Sequence, residues 1–356
     1  MSGLADLKRM PDAPTPDAPL RDARIGGAKA PPESARLTMG TARGLVLIAA
    51  AALTLQLAVG SPSFAADCQA AIDQFNQAVD AGLEHEAQAQ IDRIAGSAEC
   101  GQFQSMAQRR LAALRLSAAQ ILMARGRPVA EYDRLLNAAA STEVLWQASA
   151  TLGEVRFGER KFVDAAQAYD RAIEIVKNET LTPNSPEKFE IDGLIARAAQ
   201  ARLLAANVTG SDGQPTFVQT ARDHRDGTLG GIFSESVRGI TPQKIPIPIT
   251  FEYAKASFTP VGKMAVEELA AALKEQRPAR IRLVGHTDVR GSVETNLKLS
   301  AARSEAVAAY LKDAGVDATI ETSGVGANEP LAIPDSSGLS QEDIYALNRR
   351  VEFIRQ

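Results

Sequence analysis

The sequence predicts two folded parts of different class, α followed by α/β: an all-helical part, then a part in which short strands alternate with helices. Three observations predict this. Residues 66–206 are alanine-rich and apolar at three- and four-residue steps, the period of helices packed on one face. Residues 207–240 hold T-G-S-D-G-Q-P and D-G-T-L-G-G, dense in turn formers, and read as a partly ordered linker. From 241 to 356, short apolar runs are followed by helix-cap signals and a helical period. A chain of 356 residues has room for two such domains and extensions.

Residues 1–65 read as a leader. The stretch before Met39 is rich in Pro, Ala and charge, a composition that stays disordered. Residues 45–59 are almost wholly apolar, preceded by Arg43 and followed by S-P-S-F-A-A. That is the layout of a secretory signal, with Ser63 and Ala65 at the cleavage positions and a mature chain from about Ala66. The run is shorter than the roughly 20 residues of a membrane span. Met39-G-T-A-R-G would itself open a signal peptide, so the true start is expected there, with 1–38 an artefact or a long leader. Asp67 precedes Cys68 where a lipid-modified cysteine wants a small residue, which argues against a lipid anchor.

The exported part contains both cysteines, Cys68 and Cys100. An even pair in an oxidising compartment most often forms a disulfide; free structural thiols are the alternative. Between them lie two helical stretches, 69–81 and 84–94, joined at Gly82. Further on, 149–175 places Leu152, Gly153, Ala165, Tyr169 and Ala172 at spacings that resemble a tetratricopeptide motif, where small residues let paired helices approach and large ones fill the gap. Residues 119–138, with Gly126 and Tyr132, resemble a degenerate neighbour. The helical domain, 66–206, is either a docking surface for an envelope protein or a spacer.

In the second part, I-P-I-P-I-T-F at 245–251 reads as a first strand whose prolines suit an edge or strand start. Thr259 then serves as N-cap with Pro260 at the first helical position, and Val261, Ala265, Leu269 and Leu273 form the buried face. Arg282, Leu283 and Val284 close an apolar run after Pro278 and read as a buried strand. Gly285 and Gly291 bracket a polar turn where positive φ or close backbone approach would be cheap. From Asn296 the pattern is helical, with Leu299, Ala306 and Tyr310 on one stripe and Arg303 inside it. An arginine facing inward needs an anion. Asp288, at the end of the preceding strand, is the candidate: either the two form a structural salt bridge, or both reach a shared ligand. Residues 318–322 read as the next strand, and N-R-R-V-E-F at 348–353 as the closing one.

The run L-V-G-H-T-D-V-R-G-S-V-E-T-N-L-K-L-S-A-A-R at 283–303 resembles the central motif of the OmpA-like peptidoglycan-binding domain. The resemblance extends from about Ile245 to Gln356, through G-V-G-A-N-E-P at 324–330 and the closing N-R-R-V-E-F. It implies two helices packed on a small mixed sheet in β-α-β-α-β order. It also implies that Asp288 and Arg303 hold meso-diaminopimelate of the cell-wall peptide stem, the carboxylate facing the ligand's ammonium and the guanidinium its carboxylate. Thr287, Asn296 and Arg350 match secondary positions around that pocket. One departure stands out: Ala254 and Lys255 occupy the place where many members carry an acid. Binding through a few charged hydrogen bonds would be weak to moderate, on the order of micromolar to millimolar, and a polymer compensates with many identical sites.

The expected function is therefore a non-enzymatic, exported protein of the periplasm, associated with the cell wall and the outer membrane, whose partners are peptidoglycan and an envelope protein. The formal charge of −4 with mixed signs argues against nucleic acid. No cofactor is implied. His286 lacks a second histidine or a cysteine at ligand spacing, so it reads as structural rather than metal-bound. Two competing readings are a membrane-anchored, stator-like wall binder and a peptidoglycan-cleaving enzyme using Glu252 or Asp288. The first wants a longer apolar span, and the second a paired acid and nucleophile.

Overall fold

The computed structural model describes residues 63–356 apart from 99, 209–213, 221, 223–226, 228, 334, 335 and 337. The expectations for the leader, the start at Met39 and the apolar run at 45–59 lie outside the described residues. Among the described residues no helix is long and apolar enough to cross a membrane. The chain divides into two compact units between Ala107 and Gln108.

In the first unit, α1 (Ser63–Asp80) and α2 (Glu84–Ala95) form a helical hairpin. Gly82 makes the turn at φ +72°, a conformation cheap only for glycine. Ile72, Phe75 and Val79 of α1 and Ala87, Ile91 and Ile94 of α2 are buried. α1 begins earlier than the periodicity at Gln69 suggests, at Ser63. Cys68 and Cys100 are joined in a disulfide with Cα atoms 5.6 Å apart. Closing a loop of that length contributes about 3–4 kcal/mol in the chain-entropy account.

The boundary falls inside α3 (Gly101–Ala124), and the second unit continues through α4 (Val129–Ala140), α5 (Trp146–Gly158), α6 (Phe162–Lys177) and α7 (Lys188–Asn207). α5 and α6 pack closely because Gly153 lies under the ring of Tyr169: a Cβ there would sit 2.7 Å from a ring carbon. This is the small-against-large pairing read from the sequence. α7 adds Leu194, Ala198, Leu203 and Leu204 to the same core.

After α7 the composition led to an expected linker at 207–240, and here the structure differs. Val218, Leu229, Ile232, Phe233 and Val237 are buried in one core together with α6, α7 and the sheet. Polar ties hold the segment in place. Thr220 N donates to Glu268 Oε1 (2.7 Å), Leu229 N to Glu275 Oε2 (3.0 Å), and Gly231 N to Glu174 Oε1 (2.8 Å). Arg202 pairs with Asp170 and donates to Val218 O, all buried. Turn formers broke the helix, but the apolar residues between them found a core, which composition does not report.

The remaining elements are β1 (Lys244–Ile247), α8 (Pro260–Gln276), β2 (Arg280–His286), α9 (Val293–Asp313), β3 (Thr319–Gly326), α10 (Gln341–Asn348) and β4 (Val351–Arg355). The sheet order is β1-β4-β2-β3. β4 pairs antiparallel with both β1 and β2, and β2 pairs parallel with β3. The β-α-β-α-β order is present as β1-α8-β2-α9-β3. It continues through α10, which the periodicity did not reveal, so that the closing strand enters the middle of the sheet. Thr259 caps α8 as expected, accepting from Gly262 N, with Pro260 at the first helical position. The buried stripe of α9 is displaced from the expected one. Asn296, Ser300, Arg303, Ser304, Val307 and Leu311 are buried, whereas Leu299, Ala306 and Tyr310 are only partly so.

The displacement has a local cause. α9 lies almost on the backbone of β2 and β3, and polar, small residues suit that contact. A Cβ on Gly285 would fall 2.0 Å from Ser300 O, and one on Gly324 2.2 Å from Ala301 N. Gly285 is thus required for close approach rather than for a turn. Gly285→Ala is expected to lower the unfolding free energy by about 3 kcal/mol, read from urea denaturation. An unchanged midpoint would show that α9 moves away freely and that the close contact does not position the site.

Candidate functional site

β2, the loop after it and α9 place the expected residues in one region, but not in the expected pairs. Asp288 is 7% exposed and Arg303 6%. They make no salt bridge with each other; the structural ion pair considered for them is absent. Asp288 instead receives two other arginines. Its Oδ1 accepts from Arg290 N (3.0 Å), and its Oδ2 from Arg290 Nε (3.1 Å), Arg290 Nη2 (2.6 Å) and Arg349 Nη1 (3.0 Å). Burial acts to raise the Asp288 pKa, but these hydrogen bonds outweigh it and hold the carboxyl below its usual value.

Arg303 has a different surrounding. Its Nε donates to Lys255 O (3.1 Å), and its guanidinium carbon stands 4.9 Å from the centroid of the Phe251 ring. Among the described residues its two terminal nitrogens have no hydrogen-bond or ion-pair partner. Burial, and then the nearby Arg349, lower its pKa to about 10, with Asp288 opposing. It is therefore still a cation at neutral pH, buried, charged and short of an anion. Lys255, which stands where an acid was expected, is turned to Glu252 at 2.7 Å and contributes only its carbonyl.

Asn296 is a loop-shaping residue. Its Nδ2 donates to Asp288 O (3.2 Å) and Arg290 O (3.0 Å), while the cap of α9 is Ser292, which accepts from Thr295 N (3.1 Å). Thr287 ties the end of β2 to β3 through its N–H to Gly326 O (2.9 Å), and its buried Oγ1 has no partner among the described residues. Arg350 does not join the group around Asp288. It is buried against Glu352 Oε1 (2.7 Å from Nη2) and donates to Glu329 O. Glu352 also meets Lys244 Nζ at 2.7 Å, and His286 Nε2 at 3.0 Å at an angle outside hydrogen-bond geometry.

Four residues that the sequence reading passed over complete the site: Arg290, Glu342, Tyr345 and Arg349. Glu342 reaches Arg349 Nη1 at 3.0 Å and Arg290 Nη1 at 3.4 Å. The Arg290 guanidinium lies 4.7 Å from the centroid of the Tyr345 ring. Arg350 is consumed by the buried Glu352, whereas Arg349, the residue that ends α10 just before β4, reaches Asp288. The arrangement presents a buried cation without an anion, Arg303, and a carboxylate whose Oδ1 accepts one hydrogen bond while Oδ2 accepts three.

Residues 250–354 match the OmpA family. The C-terminal region is an OmpA-family domain. Over 109 residues it is 35% identical to the probable lipoprotein YiaD of Escherichia coli, covering 30% of this chain and 48% of that protein. Over 108 residues it is 38% identical to the peptidoglycan-binding protein ArfA of Mycobacterium tuberculosis, covering 30% of this chain and 32% of that one. The chain thus spans about half or less of the length of these relatives. The crystal structure of the peptidoglycan-associated lipoprotein from Burkholderia pseudomallei is similar at 29% identity and a TM-score of 0.27, covering 32% of this chain and 91% of that one. The helical part, before residue 250, lies outside the family match.

The OmpA-like domain carries buried acids whose charges matter for stability. Burial acts to raise the pKa of Glu352, but His286, Arg350 and Lys244 bring it down to about 2. Asp343 is also about 2, its burial outweighed by Arg160 and Ser340. Both lie below the unfolded values of about 4, so their contribution is complete above that range and is lost as pH falls through the folded values. Urea midpoints are expected to hold from neutral pH to about pH 5 and to fall towards about pH 2. Asp343→Asn should flatten part of that fall; an identical slope in the variant would contradict the assignment.

Proposed function

We propose that this protein is a non-enzymatic component of the cell envelope that binds peptidoglycan through its OmpA-like domain, with meso-diaminopimelate as the recognised group. The observation that carries the reading is Arg303: a buried guanidinium whose terminal nitrogens have no partner among the described residues. Leaving a buried charge uncompensated costs roughly several kcal/mol, and a ligand carboxylate removes that cost. Asp288, already oriented by Arg290 and Arg349, offers Oδ1 to the ammonium on the same carbon. Relatives named as peptidoglycan-binding protein and peptidoglycan-associated lipoprotein support the ligand class.

In this reading residues 241–356 are the wall-binding domain, and Asp288 and Arg303 contact the ligand. Thr287 presents its hydroxyl, Asn296 fixes the loop, and Arg350 supports the sheet behind it. The protein is exported to the periplasm, and the helical region from 66 to 206 engages a second envelope protein. The packing of 207–240 alters one part of this picture: reach does not come from a loose tether there.

Co-sedimentation with purified sacculi tests the proposal. Wild type is expected to pellet, with free meso-diaminopimelate competing. Asp288→Ala and Arg303→Ala should each reduce pelleting at least tenfold (about 1.4 kcal/mol) while the circular-dichroism spectrum is unchanged. Undiminished pelleting by both variants would overturn the site, and release of soluble wall fragments by the wild type would overturn the non-enzymatic role.

A further inference from the structure

We propose that Arg160, in the turn between α5 and α6, is a positioning residue for the Asp288–Arg303 site, coupling the helical region to the ligand site through α10; this rests on the ligand-binding reading above. Arg160 donates through Nη1 and Nη2 to the two carboxylate oxygens of Asp343, at 2.6 and 2.9 Å. It does so from φ +61°, a conformation that disfavours any residue but glycine. The backbone strain is tolerated at a turn whose side chain makes a two-pronged contact with another part of the fold.

Asp343 is no surface acid. Its side chain is 2% exposed, and it closes the capping box of α10: Asp343 Oδ2 accepts from Ser340 N (2.8 Å) and Ser340 Oγ (2.7 Å), and Ser340 Oγ accepts from Asp343 N (3.2 Å). Arg160 therefore grips α10 at its N-terminal cap. The same helix, only eight residues long, delivers the groups that hold the ligand site. Glu342, beside Asp343, binds both arginines of Asp288, and Tyr345 lies under Arg290. Arg349 is the C-cap residue, its N–H bonded to Tyr345 O. A helix of two turns is about 12 Å long and cannot bend between its ends, so a shift at the cap is transmitted to Glu342, Tyr345 and Arg349. Those residues in turn set the orientation of Asp288. Whatever binds or strains the α5–α6 turn thus has a short, stiff route to the wall-binding carboxylate.

The test uses the full chain, with sacculus sedimentation and titration by free meso-diaminopimelate. The variants are Arg160→Ala, Asp343→Asn, Arg349→Ala and the double variant Arg160→Ala with Arg349→Ala, each checked for its fold. Arg160→Ala and Asp343→Asn are expected to weaken binding roughly three- to tenfold. The Arg160→Ala effect should shrink in the Arg349→Ala background, because one of its routes is cut while those through Glu342 and Tyr345 to Arg290 remain. A merely structural role would give the same fold-change in both backgrounds, and that result overturns the proposal. A readout free of ligand is the titration of the Asp288 carboxyl carbon by NMR, which should move up towards the ordinary carboxylate range in both single variants. If Arg160→Ala does not fold, Asp343→Asn carries both measurements. If Asp288→Ala abolishes pelleting but Arg160→Ala matches wild type in binding and in the Asp288 titration, the coupling is refuted and the site stands. If wild type binds neither sacculi nor diaminopimelate, the ligand reading fails, and the Asp288 titration alone decides the coupling: unmoved refutes it, raised supports it.

Discussion

A buried cation without an anion is the constraint around which the C-terminal domain is arranged. Arg303 sits on the face of α9 that meets the sheet, and α9 is pressed so closely on β2 and β3 that only glycine fits at 285 and 324. The Nε of Arg303 is satisfied by Lys255 O and its plane by Phe251, which fixes its direction without neutralising it. Asp288, near enough to act on its pKa, has been claimed by Arg290 and Arg349. The geometry keeps the two opposite charges from pairing, each held by other groups, and the proposed ligand, which bears both charges, rests on that separation.

Elsewhere in the domain the same problem is solved internally. Glu352 is as buried as Arg303, yet Arg350, Lys244 and His286 surround it. The contrast is informative. Buried charges are ordinarily paired because an unpaired one costs so much. A fold that pairs Glu352 so fully and leaves Arg303 unpaired has not merely failed to find an anion. Helices α5 to α7 are fused to this arrangement rather than attached at a distance, since they share one core with Val218, Ile232, Phe233 and the sheet.

Much of this was legible in the sequence. Thr259-Pro260 announced the start of α8, the G-H-T-D turn ended β2 where it does, and Gly153 with Tyr169 gave the close pairing of α5 and α6. These features are local: a cap, a turn, a small residue opposite a large one. What escaped the reading depends on partners far along the chain. The stripe of α9 was assigned to Leu299, Ala306 and Tyr310 because they are apolar, but the buried face is set by glycines on two strands and takes Ser300 and Ser304 instead. α10 is short and polar enough to pass as loop, although Ser340 and Asp343 make a capping box that could have marked it. Arg349 and Arg350 are neighbours with opposite roles: they fall between the end of α10 and the start of β4, where neither a helical nor a strand period assigns a face. The segment 207–240 read as a tether because turn formers are visible in a sequence and a distant core is not.

The most direct measurement is the structure of the protein crystallised with meso-diaminopimelate. The account predicts one ligand carboxylate within about 3 Å of a terminal nitrogen of Arg303 and the adjoining ammonium at Asp288 Oδ1, with Arg290 and Arg349 still on Oδ2. A ligand bound elsewhere, with the Arg303 guanidinium as unpartnered as before, would contradict it.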